Sequence, residues 1–232
     1  MIQLAVVGAR GRMGQLVVEA IKQDKTTSLC AVLSRADHQS LRSVTSHIDV
    51  VIDFTVPVAT VEHAAICVDK GCGIVIGTTG FTTAELGSIT SAANVIPIVL
   101  SPNMSVGINV SFKLLELAAK VLKGQAEIAI LDVHHKYKKD LPSGTALKMS
   151  EVIKNACDPT VLSCDISSIR VGEIVGEHSA LFSLEGERLE ITHRAVDRSL
   201  FAKGALRAAK WLVEQKTGLY DMQDVLGFRH LT

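Results

Sequence analysis

The chain has 232 residues, room for one large domain or two small ones. Its 24 Lys and Arg balance its 24 Asp and Glu, so no basic footprint points to nucleic acid. Its mean hydropathy is +0.30, yet no apolar run approaches the ~18 residues of a membrane span.

The first predicted element is a short apolar strand, Ile2 to Val7, of the kind buried in a parallel sheet. Gly8-Ala9-Arg10-Gly11-Arg12-Met13-Gly14 follows and leads into the helical pattern QLVVEAIKQ. A strand, a glycine-rich turn and a helix lay a pyrophosphate on a helix N-terminus. The spacing is GxxGxxG rather than GxGxxG, so its placement after a strand carries the argument. The bland reading is a tight turn with glycines kept for packing.

The second strand, Ser28 to Leu33, ends at Ser34-Arg35. A site selective for NAD usually places an acid about 20 residues after the glycines, to hold the ribose diol. Here Asp37 comes slightly too late, and Ser34 with Arg35 suits a 2′-phosphate instead. NADPH is therefore the expected cofactor, with NADH possible. A solvated surface arginine is the alternative.

Further strands are expected at Ile48 to Phe54, Gly73 to Gly77 and Val95 to Leu100, with helices from Pro57 to about Lys70 and from Phe81 to Ala93. Strands alternating with helices imply a doubly wound parallel sheet. Asp53 to Thr55, Gly77-Thr78-Thr79-Gly80 and Ser101-Pro102-Asn103-Met104 then lie at carboxyl strand ends, the edge where such sheets bind ligands.

The pattern changes near residue 105. A helix from about Ile108 to Leu122 precedes the β-prone run EIAILDV and then HHKYKKDLPSGTA, His134 to Ala146. Here a histidine pair at a strand's end precedes a lysine-rich loop, and Ser143 opens a helix. The Gly144 and Thr145 amides at that helix start favour an anion, Lys138 offers a charge and His135 hydrogen bonds. The junction suits a dianionic small molecule. Taken singly, each residue has a structural explanation, Ser143 as an N-cap above all. No metal site is expected, since successive strand residues face opposite ways.

Later strands are expected at Ser168 to Val175, Ser179 to Leu184 and Arg188 to Arg194, the last two joined as a hairpin around Glu185-Gly186-Glu187. One helix over four mostly antiparallel strands suggests an open-faced α+β domain that self-associates through its uncovered face. A helix from Ser199 to Lys216 and the tail GLYDMQDVLG return to the first domain. The divisions are 1–104, 105–198 and 199–232. The five cysteines (30, 67, 72, 157, 164) show no zinc or redox spacing, and the N-terminus enters a strand directly. A cytoplasmic protein with free thiols is expected, with no membrane or nucleic-acid partner.

These motifs together identify a resemblance. GxxGRMG, IDFT (Ile52 to Thr55), GTTG, SPNMSVGINV, HHxxKxDxPSGTA, RxGxxxGxH (Arg170 to His178) and the ending from Phe201 to Gly227 are similar, nearly end to end, to the dihydrodipicolinate reductase family of the diaminopimelate–lysine pathway, also called 4-hydroxy-tetrahydrodipicolinate reductases. The resemblance implies a Rossmann-like domain completed by the C-terminal helix and an α+β substrate domain with an open mixed sheet. It also implies a homotetramer and reduction of a cyclic unsaturated dicarboxylate with NADPH or NADH to tetrahydrodipicolinate. By motif position, it makes His134 and Lys138 the proton-transfer residues, their division left open, and His135, Gly144 and Thr145 substrate contacts. Gly8, Ala9, Arg10, Gly11, Arg12, Met13, Gly77, Thr78, Thr79, Ser101, Pro102, Asn103 and Met104 become cofactor contacts, with Arg35 at the 2′-phosphate.

Two departures stand out. Ser34 replaces a frequent acid, and the segment from Arg35 to Ile48 is short. Two rival functions fit the first domain alone, an NADP-dependent reductase of another small acidic substrate and a non-catalytic NADPH sensor. An S-adenosylmethionine-dependent transferase is weaker, for want of the acid after the second strand.

Overall fold

A computed structural model describes residues 1–34, 40–157 and 164–230. The chain divides into two compact units, Met1–Ser105 with Arg198–Thr232, and Val106–Asp197. Among the described residues no helix is long and apolar enough to cross a membrane.

The first unit runs β1 (Ile2–Val7), α1 (Arg12–Gln23), β2 (Thr27–Leu33), β3 (Val50–Asp53), α2 (Pro57–Lys70), β4 (Gly73–Ile76), α3 (Thr83–Ala93) and β5 (Pro97–Leu100). In the second unit come α4 (Val106–Val121), β6 (Glu127–His134), α5 (Gly144–Ala156), β7 (Cys164–Arg170), β8 (Gly176–Leu184) and β9 (Glu187–Ala195). The chain then returns to the first unit with α6 (Ser199–Leu212), β10 (Gly218–Tyr220) and α7 (Met222–Val225).

Strand order in the first sheet is β10-β5-β4-β3-β1-β2, all pairs parallel. Two-residue periodicity explains its two cores. Leu4, Val6, Val50 and Ile52 face α1 and α6, packing on Val17, Ile21, Ala202, Ala205 and Ala209. Ala5, Val7, Val51, Ile74 and Ile76 face the other way, onto Ile66 of α2 and Ile89 of α3. Strand order reverses between β1 and β3, so the ends of those strands flank the crevice where doubly wound sheets take ligands.

In the second unit β7 pairs parallel with β6, while β6–β8 and β8–β9 are antiparallel. One face of this sheet, with Ile128, Ile130, Ala180 and Phe182, packs under Ile108, Phe112 and Leu115 of α4 and Met149 and Ile153 of α5. Two helices therefore cover it, where the sequence suggested one. On the opposite face lie Leu131, Val133, Ile169 and Leu181, none of them buried.

Other expectations need correction. The strand expected at 168–175 runs Cys164–Arg170, and Gly172, at φ 56°, turns the chain beyond it. Helix α3 starts at Thr83 rather than Phe81, because Thr82 and Glu85 form a reciprocal capping box. The last long helix stops at Leu212 rather than Lys216. The tail then adds β10 as an edge strand on β5, an element the sequence did not suggest.

Candidate active site

The carboxyl edge of the first sheet is built from three loops. After β1, Gly8 adopts φ 74°, and its carbonyl accepts from the Gly11 amide at 2.9 Å. A Cβ on Gly14 would lie 2.2 Å from Gly8 O, so α1 begins hard against the turn. Gly11, the N-cap of α1, supplies no side-chain cap, and the first turn has no acid. The helix-start amides thus lack a side-chain partner of their own and suit an anion. Arg10 and Arg12 are exposed beside them. Arg198 also lies within range of the Arg12 charge. Burial, and then that like charge, lower its pKa. A glycine turn, uncapped amides and neighbouring guanidiniums fit the pyrophosphate of a dinucleotide.

The loops after β3 and β4 are clasped by Asp53, which is wholly buried. Its carboxylate accepts from Thr55 N at 2.8 Å, Thr55 Oγ1 at 2.6 Å and Thr78 Oγ1 at 3.3 Å. His63 Nδ1 of α2 lies 2.8 Å from its other oxygen. Thr60 Oγ1 donates to Thr78 Oγ1 at 3.0 Å. The Thr78 hydroxyl is therefore occupied inside the protein, whereas Thr79 is exposed. In the third loop Ser101 Oγ donates to the Asn103 carbonyl at 3.0 Å, and Asn103 Oδ1 accepts from Ser105 N at 3.0 Å. Met104 is buried, with α6 so close that a Cβ on Gly204 would meet the Met104 carbonyl oxygen at 1.8 Å. Arg35 lies outside the described residues.

In the second unit, alternation along β6 puts Ile128, Ile130, Asp132 and His134 on one buried face. The first two belong to the core and the last two begin the site. Register sets Ser168 of β7 and His178 of β8 beside Asp132, and Arg170 beside His134. Asp132 Oδ2 accepts from the Ser143 amide at 2.9 Å, Ser168 Oγ at 3.1 Å and an Arg170 guanidinium nitrogen at 2.9 Å. Its Oδ1 lies 2.8 Å from His134 Nδ1 and 3.4 Å from His178 Nε2. The contact with His134 is a close ion-pair contact rather than an in-line hydrogen bond. Burial alone would raise the Asp132 carboxyl. His134, His178, Arg170 and the Ser143 amide overcome it and hold the group well below the usual carboxylate range. Burial lowers the pKa of His178, although Asp132 opposes this.

Ser143 caps α5 by accepting from Ala146 N at 3.2 Å, and its hydroxyl also lies 3.1 Å from His178 Nε2. Gly144 is exposed and Thr145 half-buried at the helix start. Lys138 Nζ lies 2.9 Å from Asp140 Oδ2, and the Lys138 amide donates to the His135 carbonyl at 3.1 Å. Asp132 thus ties the strand to the helix start through the Ser143 amide, and Arg170 ties both to the lysine loop by donating to the Asp140 carbonyl at 2.7 Å.

The chain matches the family described as "Dihydrodipicolinate reductase, N-terminus" over residues 2–104 and "Dihydrodipicolinate reductase, C-terminus" over residues 107–226. The chain belongs to the dihydrodipicolinate reductase family. The solved dipicolinate-bound dihydrodipicolinate reductase from Paenisporosarcina sp. TG-14 is 26% identical, with a TM-score of 0.80 over 97% of this chain and 98% of that one. A probable dehydrogenase from Thermotoga maritima, 11% identical, shares the fold at a TM-score of 0.66 over 97% and 92%. The C. glutamicum DAP dehydrogenase solved with DAP, 10% identical, does so at 0.53 over 95% and 92%. As a member of the dihydrodipicolinate reductases, the protein is an NAD(P)H-dependent oxidoreductase that reduces dihydrodipicolinate, a small dicarboxylate, in diaminopimelate and lysine biosynthesis.

Sequence reasoning placed His134 but missed its partners. Asp132 could have been found as a lone carboxylate in the buried register of an apolar strand. His178 stood in a quoted motif, and only the sheet pairing shows what it faces. Asp132, His134 and His178 also form the one three-residue set among the described residues whose ligand atoms, within 4.8 Å of one another, could surround a metal. The 2.8 Å between Asp132 and His134 is shorter than the ~3.3 Å edge that zinc bonds of about 2.0–2.1 Å give a tetrahedron.

Proposed function

We propose that His134 carries the proton in this reduction and that Lys138 chiefly clamps a substrate carboxylate, with His135 and the Gly144 and Thr145 amides as further contacts. The observation that carries this reading is the Ser143 amide on Asp132 at 2.9 Å, because it fixes the histidine strand to the anion-binding helix start. A histidine suits acid catalysis near neutral pH. The Lys138 ammonium acts as an electrostatic hold on an anion. The Asp140 carboxylate faces it in the structure.

NAD(P)H supplies a hydride to the substrate ring. Gly8 to Met13 would hold its pyrophosphate, and Gly77 to Thr79 with Ser101 to Met104 its nicotinamide half. Ser34 and Arg35 would take a 2′-phosphate, so NADPH is preferred over NADH. One charge-assisted contact of this kind supplies roughly 1.5–3 kcal/mol, about one to two decades of affinity. Arg35→Ala should weaken NADPH binding by that amount in calorimetric titration and leave NADH almost unchanged. Equal weakening of both would sink this assignment.

The sheet face with exposed Ile169 and half-buried Leu131, Val133 and Leu181 supports a homotetramer closed through that face. Five free cysteines support a cytoplasmic setting. In function, residues 1–104 bind the dinucleotide, 105–198 bind substrate and oligomerise, and 199–232 complete the first unit. Ser105 and Arg198 pack with that unit.

The deciding assay follows NADPH consumption with substrate made in situ by the preceding synthase. Lys138→Ala should lose kcat/KM mainly through a higher KM. A pure, folded protein that binds NADPH and never oxidises it with this substrate would favour the sensor reading instead.

A further inference from the structure

The Asp132 carboxylate is held from one side and used from the other. Oδ2 is occupied by the Ser143 amide, Ser168 hydroxyl and Arg170 guanidinium. These three donors stop the carboxylate rotating, and Oδ1 is left facing two imidazoles. His178 is the farther, at 3.4 Å, and its Nε2 is also 3.1 Å from Ser143 Oγ. The nearer is His134, at 2.8 Å through Nδ1. The two rings meet edge to face, with centroids 5.0 Å apart. Both cannot easily be cations at once, and burial favours a neutral His178. The free oxygen is thereby left to His134.

The second observation lies on the other side of the ring. Gly176 opens β8 without a positive φ, so its backbone does not demand glycine. A Cβ there would lie 3.0 Å from His134 Nε2 and 3.3 Å from its Cδ2. The glycine therefore serves space, at the nitrogen that Asp132 does not touch.

We infer that Asp132 is a positioning residue, which fixes His134 through Nδ1, and that Gly176 keeps Nε2 clear as the nitrogen that transfers the proton. The inference rests on His134 being the proton carrier. In the step, the Nε2–H bond breaks, its electron pair stays on Nε2, and a new bond to hydrogen forms on the substrate atom that accepts the proton. The proton on Nδ1 remains against Asp132 Oδ1, and solvent later restores the imidazolium. Contacts of this kind are often loose without substrate and tighten in the productive complex, which fits the off-line geometry of the pair.

The groups that set the charge around His134 are Asp132 on its own strand, Arg170 of β7, His178 of β8, His193 of β9 beyond it, and Lys138 of the loop. Of these, Asp132 is the one anion. Asp132→Asn should lower kcat by about 10²- to 10⁴-fold, the upper end being the cost of losing the carboxylate that orients a catalytic-triad histidine. It should also move the high-pH limb of the kcat profile to lower pH, because the cation has lost its anion. A merely structural loss would scale the profile without moving it. Gly176→Ala removes no hydrogen bond, and should lower kcat by about ten-fold at an unchanged melting midpoint, as expected for sub-ångström misplacement of a catalytic group.

A folded Asp132→Asn enzyme whose limb stays in place overturns the inference. So does Gly176→Ala with the wild-type kcat, and that variant decides the matter should Asp132→Asn not fold. His134→Gln separates the levels. If it keeps the wild-type kcat, the proton-carrier reading itself falls. If it is inactive while Asp132→Asn and Gly176→Ala behave as wild type, only the present inference falls.

Discussion

Each unit buries one aspartate against a histidine Nδ1 at 2.8 Å, Asp53 with His63 in the first and Asp132 with His134 in the second. Asp53 ends β3 and Asp132 lies two residues before the end of β6, and both are wholly buried. Their remaining partners differ. Asp53 is met by hydroxyls and an amide from Thr55 and Thr78, neutral donors on two loops that it ties together. Asp132 is met by a guanidinium and a second imidazole as well. A buried carboxylate among neutral donors is a clasp, whereas one among cations and imidazoles sets the charge of its neighbours. On the reading proposed above, the same residue pair serves architecture in one unit and proton handling in the other.

The largest effect should come from exchanging the two histidines' fates. His134→Gln is expected to lower kcat by about two to four decades, the usual yield of general acid catalysis, at nearly constant substrate KM. His63→Gln should leave kcat within about three-fold and act on cofactor KM, since it touches only the clasp. Steady-state kinetics of both variants break the comparison if His63→Gln proves the more damaging to kcat.

Next in size is Asp53→Asn. An amide cannot accept from all the donors that Asp53 satisfies, and one buried unsatisfied group costs about 1–3 kcal/mol. Urea unfolding should show that loss, and NAD(P)H titration a weaker complex, while the pH limb of kcat stays fixed. A moved limb would mean that Asp53 also tunes charge.

The smallest effect is graded with pH. Burial lowers His178 and His193 from the ordinary 6.5, and Asp132 is also depressed, its attractive partners overcoming the burial that alone would raise it. For each, the unfolded chain takes up protons first as pH falls. The histidine contribution is full above about 6.5 and declines as pH drops through the lowered values. The Asp132 contribution is full above 3.8 and is lost lower still. The one tryptophan, Trp211, lies on α6 of the first unit, so its fluorescence reads that unit while circular dichroism reads both. Acid should reduce the dichroism before it changes the fluorescence. Coincident transitions would place the acid sensitivity in both units.

Much of this was legible in the sequence, for identifiable reasons. Regular apolar runs between glycine and proline punctuation gave the parallel sheet. The Ser143 cap and the paired histidines gave the second site's outline, and the family resemblance named its chemistry. Of the partners of His134, His178 was hidden because it stands 46 positions from Asp132 and meets it only through antiparallel register. Strand β10 was hidden because three residues, Gly218–Tyr220, carry no period. The Thr82–Glu85 capping box was legible and was passed over in favour of the apolar Phe81. That one helix was expected over the second sheet, where α4 and α5 both pack, has another cause. Amphipathic spacing shows that a helix has a buried face without saying which sheet receives it.

The return of the chain to its first unit sets an order of events during synthesis. The first sheet takes its edge strand from 218–220, and its core takes Ala202, Ala205 and Ala209 from α6, all made after the whole of the second unit. Domains usually complete in the order in which they leave the ribosome. Here the middle segment finishes first, and the amino-terminal strands wait with one apolar face covered by α1 alone until α6 emerges. The tight seat of α6, where Gly204 admits no Cβ against Met104, then closes only after the second unit is made, and the edge strand at 218–220 follows it. A nascent chain stalled before residue 199 should expose that face to chaperones, while its central segment already resists protease.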